Sequence, residues 1–477
     1  MNPKAFLILV AALPLFGNPS HGAEEDNPSA KVNKKASFDA RRVRLVTRET
    51  SMGVVPAMAD YLQAVTSRDQ SHFVYPVMSR GAWHIFKDGV EMEENSKGYS
   101  RIVLPTFSPD GKRLAFFGAI AGGGWTAVVN GKESPPYDMP VECHPLFSPD
   151  SGHVAYFMNR GGSQILVVDS KEERVSKGAY REDGTPIGIE AIDNRSLQFS
   201  PDGERFSYVF FGRDWQQVVT NGKPGPKYKG VSPPGPCFSP DGTQLVYGAR
   251  TGSNQWVIVR NDKESKPIRA KGIRDLVFSP DSSQLAYLEA PEDGQSVHMV
   301  VKDRREKQFY GVFGGSFRFS PNGRRYMYVG ETTPSQQVMV IDDQESGPYV
   351  GVSPDTYVFS PDSQHFAYGA TRGVTSFAVI DGEEWGQFEF TAMGSFVFSP
   401  DSQHLVFVGI RDGKSVIVVD HTEGKEYGLV KIPGSSKYYG QSIPVFDSPR
   451  KFHLQSARLA ASFEVEIIRV DVEIVEE

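Results

Sequence analysis

Apolar residues in this chain come in short runs separated by polar turns, and the runs return at a fixed period. Leu114–Phe117 and Leu285–Leu288 are apolar at consecutive positions, the signature of strands buried on both faces. Ahead of the first stands Phe107-Ser108-Pro109-Asp110-Gly111. The run Phe-Ser-Pro-Asp begins again at Phe147, Phe199, Phe238, Phe278, Phe319, Phe359 and Phe398, with Asn322 replacing the Asp once. The gaps are 40, 52, 39, 40, 41, 40 and 39 residues. A disguised copy starts at Thr66, 41 residues before Phe107, with Arg68 in the Pro position. Nine residues after each start an aromatic stands in all nine copies: Tyr75, Phe116, Tyr156, Tyr208, Tyr247, Tyr287, Tyr328, Tyr368 and Phe407. A period of this length decides the architecture before any local assignment does.

Each unit reads as four strands. The first ends at the motif Phe. Ser-Pro-Asp-Gly then reverses the chain, because Pro presets φ, Asp suits the next position and Gly accepts positive φ. The buried second strand follows, then a variable loop and a third strand such as Thr126–Val129, Val257–Val259 or Val416–Val419. Several third strands end in Asp88-Gly89, Asn130-Gly131, Asn221-Gly222 or Asp381-Gly382, the dipeptides of two-residue hairpins. A fourth strand carries Tyr99, Tyr137, Tyr228, Tyr310, Tyr349, Phe388 or Tyr427.

Four antiparallel strands in about 40 residues, repeated along the chain, predict an all-β fold, a β-propeller of about ten four-stranded units. Even spacing around Phe238 and Phe278 favours one large ring over two smaller propellers. The 52-residue gap places an insertion within Lys171–Ser196. A degenerate tenth unit starts near Phe446 and ends in the alternating stretch Phe463–Ile474. It lacks a fourth strand, and Arg42–Thr47 is the candidate to supply it, since an open edge invites aggregation.

FSPDG, a following Leu-Ala-Tyr or Val-Ala-Tyr, and a Val-rich strand ending in Asp/Asn-Gly resemble the bacterial WD-like (TolB-type, PD-repeat) propeller repeats over about residues 60–475. The resemblance implies a structural role for Ser108, Pro109, Asp110 and their equivalents. Similar repeats occur in prolyl-oligopeptidase-type peptidases, but only about 30 residues follow Phe446 and no G-x-S-x-G elbow is present. No hydrolase domain is expected.

Residues 1–23 read as a signal peptide, with Lys4, an apolar Ala5–Phe16 and a small-residue exit at Ser20–Ala23. Residues 24–40 read as a flexible leader, and 41–477 as the propeller. The expected location is therefore exported, periplasmic or extracellular. Losing Lys4 takes the net charge from −7 to −8. That balance, without a long basic run, argues against nucleic acid, and no later run is apolar enough for membrane insertion. Cys143 and Cys237 occupy different positions in their units, so no disulfide framework is expected.

Histidine recurs six residues into the motif (His72, His153, His365, His404) and near it at His453. Equivalent positions on packed sheets stand about 10 Å apart, too far to share a metal. They are read as a repeat position, occupied elsewhere by Arg113, Arg205, Gln244, Gln284 and Arg325, and neither metal nor cofactor is expected. Arg80, Arg160, Arg213, Arg250, Arg372 and Arg411 recur at the loop between second and third strands. They are either solvated repeat residues or a binding face for an anionic ligand, since Arg offers a planar fork of donors. Trp83, Trp125, Trp215 and Trp256 follow these loops, as core packing or as stacking platforms. Together these residues make the candidate partner-binding face. The expected function is a non-catalytic scaffold binding a protein or envelope component, with a polysaccharide-active hydrolase or lyase as the alternative.

Overall fold

The computed structural model describes residues 38, 42–92, 97–141, 144–175, 191–292, 294, 296–392, 394–431, 438–439, 443–460 and 464–477. Residues 1–23, read above as a signal peptide, residues 24–37 and 39–40 of the expected leader, and Cys143 lie outside them. So do 176–190, most of the expected insertion. Among the described residues ten antiparallel sheets of four or more strands follow one another along the chain, besides the two-stranded pair Val430–Lys431 and Tyr438–Tyr439, making this a ten-bladed β-propeller fold. Blades 1 to 6 cover 65–99, 101–137, 139–174, 191–228, 230–269 and 272–309. They belong to one compact unit. Blades 7 to 10 cover 318–349, 351–388, 390–428 and 445–476, the last joined by 43–55, and belong to a second. The helical structure among the described residues is one 3-10 turn at Tyr61–Gln63. Among the described residues no helix is long and apolar enough to cross a membrane.

The predicted strand order holds in every blade: first, second, third and fourth are hydrogen-bonded in sequence. The second strands are buried on both faces, as at Leu114–Ala119 and Leu405–Arg411. All nine predicted aromatics are under 9% exposed, from Tyr75 and Tyr368 at 0% to Tyr287 at 8%. Phe116, Tyr156, Tyr208, Tyr247, Tyr287, Tyr368 and Phe407 each pack between their own sheet and the preceding one. Phe117 and Ala127 of blade 2, for example, cluster with Phe147, Tyr156 and Met158 of blade 3. Such a core accounts for the repeat, since one blade cannot bury both faces alone.

The two turns are more regular than their sequences. The fourth residue after the motif start has positive φ in all nine copies, whether Gly (Gly111, +71°), Ser (Ser151, +65°) or Gln (Gln70, +57°). Where it is Ser, its hydroxyl accepts the backbone N–H of the preceding blade's motif Asp or Asn. Asp110 donates to Ser151 (3.0 Å), Asp241 to Ser282 (3.0 Å), Asn322 to Ser363 (3.1 Å) and Asp362 to Ser402 (3.0 Å). At the second hairpin both central residues have positive φ in all nine copies, including Asp169-Ser170 and Asp420-His421, which lack Gly. The Asp or Asn there also accepts the first N–H of the second strand, as Asp88 does from Phe73 (2.9 Å) and Asp420 from Leu405 (2.8 Å).

Four details depart from the sequence reading. In blade 6 the buried fourth-strand aromatic is Phe309 (3% exposed), paired with Val297, while Tyr310 is 57% exposed. Within Lys171–Ser196, Lys171–Arg174 is the fourth strand of blade 3, and 191–196 belong to the bulged first strand of blade 4, Ala191–Phe199. Blade 10 is closed as expected, but by the longer strand Val43–Val55, paired with Val465–Glu476 from Val43↔Glu476 to Val55↔Val465. Phe38 of the leader packs edge-on to His365 (5.3 Å) and Phe398 (5.8 Å), and its N–H reaches Asp381 (3.0 Å).

Candidate functional site

The motif turn is a closed hydrogen-bond unit. Its Ser hydroxyl donates to the motif Asp, as Ser108 to Asp110 (2.6 Å), and accepts the N–H two residues past the Gly position, as from Arg113 (2.9 Å). In blade 5 the Ser239 hydroxyl, helped by the Thr243 N–H, holds the Asp241 carboxyl down to about 2. The motif is therefore architecture.

The repeated histidines each have a carboxylate of their own on the second hairpin. Nδ1 lies 2.7 Å from Asp88 in His72, 2.5 Å from Asp169 in His153, 2.6 Å from Asp381 in His365 and 2.5 Å from Asp420 in His404. Where Arg replaces His it can bridge blades: Arg113 Nη1 donates to the carbonyls of Ser151 (2.7 Å) and Gly152 (2.8 Å), and Arg325 both meets its own hairpin Asp342 (2.7 Å) and donates to the Gln364 carbonyl (2.8 Å). The hydrogen bond to Asp381 raises the His365 pKa above its usual value, so folding favours the protonated ring. That contribution is complete below the unfolded value of 6.5 and is lost as pH rises through the folded pKa. His365→Gln, the residue at this position in blades 5 and 6, is expected to lose about 1 kcal/mol at mildly acid pH and less at alkaline pH. Urea melts at both pH values measure this, and an equal loss at both would refute the linkage.

His453 has a different setting. It, Asp447 and Asp471 present ligand-type atoms within 4.8 Å of one another on three adjacent strands of blade 10. Sequence reasoning missed this group, because cross-strand register joins it. Asp447 lies 2.8 Å from His453 Nδ1, while Arg469 Nε is 2.8 Å from Asp471 and its Nη2 3.9 Å from Asp447. A guanidinium already balances the two carboxylates, so these residues make a poor cradle for a metal cation.

The loop-end arginines fall into two kinds. Four are clasped by a Glu on the fourth strand of their own blade, reaching across the third. Arg160 meets Glu172 (2.6 and 2.9 Å), Arg372 meets Glu384 (2.8 and 2.7 Å), Arg411 meets Glu423 (3.1 and 2.8 Å), and Arg80 Nη2 donates to Glu91. Each of the first three also lies over a buried aromatic: Tyr137 at 4.3 Å, Phe377 at 5.4 Å and Phe388 at 5.1 Å. The guanidinium beside Glu172 lowers that carboxyl's pKa. Arg250 instead donates to the Lys229 carbonyl (3.0 Å), and Arg213 is exposed. Blade 6 inverts the clasp: Glu289, 2% exposed, sits on the second strand and binds Arg305 of the fourth (2.6 Å), with His298 3.8 Å away. Burial lowers the His298 pKa.

Three tryptophans occupy one repeat position. Trp83 and Trp125 pair with Tyr99 and Tyr137, and Trp256 with Ile268. Trp215 stands one residue earlier, with Gln216 in the paired place, and Lys227 lies 3.8 Å over its ring. Trp83, Trp125 and Trp215 are half-buried against core clusters, and Trp256 is 7% exposed. Neighbouring blades are further tied by fourth-strand hydroxyls that the sequence did not flag. Tyr99 donates to Glu133 (2.6 Å), Tyr137 to Glu172 (2.7 Å) and Tyr228 to Glu264 (2.9 Å).

Blades of four sequential antiparallel strands, packed face to face through a repeated aromatic, define the class as β-propeller. No protein-family model matches the chain, and comparison with curated protein sequences finds no match. Among solved structures it is similar to a eukaryotic initiation factor (12% identity, TM-score 0.44, 77% of this chain and 96% of that one). It is also similar to an oligogalacturonate lyase in complex with manganese (12%, 0.32, 79% and 96%). A third is TolB from Acinetobacter baumannii (13%, 0.27, 59% and 77%).

Proposed function

We propose that the protein is an exported, non-catalytic propeller of the TolB-type repeat group that binds another protein or an envelope component through its second-to-third-strand loops. The observation that carries this reading is the clasp. Arg80, Arg160, Arg372 and Arg411 are each fixed by a Glu across the sheet, so the loop ends are displayed in set positions and binding pays little ordering entropy. The motif turns supply the rigid frame, and the loops, where the copies differ, supply selectivity.

The test is capture from the native envelope fraction by wild type and by Arg80→Glu/Arg372→Glu/Arg411→Glu. The triple variant is expected to lose a partner that wild type retains. Each clasp is half-exposed and is expected to cost only about 0.2–1 kcal/mol when broken, so the variant stays folded. A folded triple variant with unchanged capture would sink the reading. The polysaccharide-active alternative draws on Asp275, which stands at φ +55° on the bulged strand Gly272–Phe278 and whose carboxyl pKa is raised by burial. Polysaccharide cleavage by wild type, abolished in Asp275→Asn, would favour it.

A further inference from the structure

We propose that the outer strands of blades 4 and 5 form a docking surface for a bilayer bearing anionic phospholipid. Lys223 and Lys227 lie on the outer segment of blade 4, and Lys263, Lys266 and Arg269 on that of blade 5, while Lys229 and Lys271 stand in the links to the next blades, all exposed. In a chain of net charge −7 this is a local reversal of sign. Among the described residues none of the seven forms an ion pair within 4.0 Å. The loop-end arginines of blades 1, 3, 8 and 9, by contrast, are neutralised within their own sheets. The corresponding stretches of blades 2, 3, 8 and 9 are balanced or acidic, with Lys132 and Glu133 in blade 2 and Glu383 and Glu384 in blade 8, and in the basic stretch of blade 6 Arg304 and Arg305 are paired with Glu306 and Glu289. The carboxylates within the basic stretch are Asp262 and Glu264, and Glu264 accepts the Tyr228 hydroxyl.

The chemistry of the patch selects the occupant. From Lys263 to Lys271 an extended chain runs about 25 Å, so the cations form a broad surface two blades wide. Six of the seven are Lys, whose flexible ammonium meets diffuse charge as a point and does not impose a bidentate geometry. Pro224, Pro226 and Pro267 remove backbone donors, which disfavours pairing with a partner's strand. The nearest indole that could stack on a sugar, Trp215, is covered by Lys227. No large apolar side chain between residues 213 and 271 is exposed, so contact stays at the headgroups. A plane of lipid phosphates satisfies all of these, and a glycan chain does not.

Full-length protein is expected to co-sediment at low salt with phosphatidylcholine vesicles containing phosphatidylglycerol, to ignore pure phosphatidylcholine vesicles, and to be released by salt. Lys223→Glu/Lys263→Glu/Lys266→Glu/Arg269→Glu should weaken vesicle binding at least about tenfold. Neutral Gln replacements at the same four positions should give a smaller loss. The control Lys132→Glu/Lys171→Glu and the loop variant Arg80→Glu/Arg372→Glu/Arg411→Glu should bind vesicles as wild type does, which separates this surface from the loop-face reading. No binding of wild type to the anionic vesicles would overturn the proposal, as would equal binding by the folded fourfold variant. So would displacement from vesicles by polygalacturonate at matched charge, which would assign the patch to an acidic glycan.

Discussion

A chain lacking residues 1–56 is expected to lose its cooperative melt and to aggregate, and addition of a peptide spanning 42–56 is expected to restore a folded monomer. Val43–Val55 is the fourth strand of blade 10, and without it Val465–Glu476 becomes a long unpaired edge. The strand also brings Val43, 5% exposed, and Val55, 1% exposed, into the core, with Leu45 packed against the cluster shared by blades 9 and 10. Losing that burial together with the ladder costs on the order of 5 kcal/mol or more. Calorimetry and size-exclusion chromatography, with and without peptide, decide the matter. A truncated chain that melts like wild type would show that the fourth strand of blade 10 is dispensable.

The second large effect belongs to the repeated aromatic. Tyr368 is fully buried, and its hydroxyl meets Ser346 (2.9 Å) and Tyr349 (3.1 Å). Tyr368→Ala is expected to lose about 3–5 kcal/mol, because the cavity lies between two packed sheets that cannot both collapse into it. Tyr368→Phe should lose only about 1 kcal/mol, since Ser346 and Tyr349 still bond to each other (3.0 Å). Denaturant midpoints at unchanged slope measure both, and similar losses for the two variants would mean that the ring's packing is not the main contribution.

The blades were legible because one constraint is copied along the chain. The turn motif and the aromatic nine residues later must recur wherever a blade is built, so Thr66 could be aligned despite Arg68. Other features depend on register, which the repeat does not print. Phe309 and Tyr310 are adjacent aromatics, and only pairing with Val297 shows which one faces inward. Trp215 slipped by one place for the same reason. The arginines were visible but their Glu partners were not, since Glu172, Glu384 and Glu423 lie twelve residues away on a strand two removed in the sheet. The Asp447, His453 and Asp471 group needed three strands to be aligned. At the motif turn Ser151, Ser282, Ser363 and Ser402 each bind the neighbouring blade, a contact that the repeat does not print.

The strand at 43–55 has a consequence in time. It leaves the ribosome among the first described segments and its partner, 465–476, among the last, so blade 10 stays unfinished for nearly the whole of synthesis. Closing a span of about 410 residues adds an entropic cost that grows only logarithmically with length, but the search cannot begin before the partner strand exists. Blades 1 to 9, each complete within about 40 consecutive residues, do not wait. A stalled or clipped nascent chain would therefore carry formed sheets and one adhesive edge, the state that a chaperone or protease would be expected to recognise.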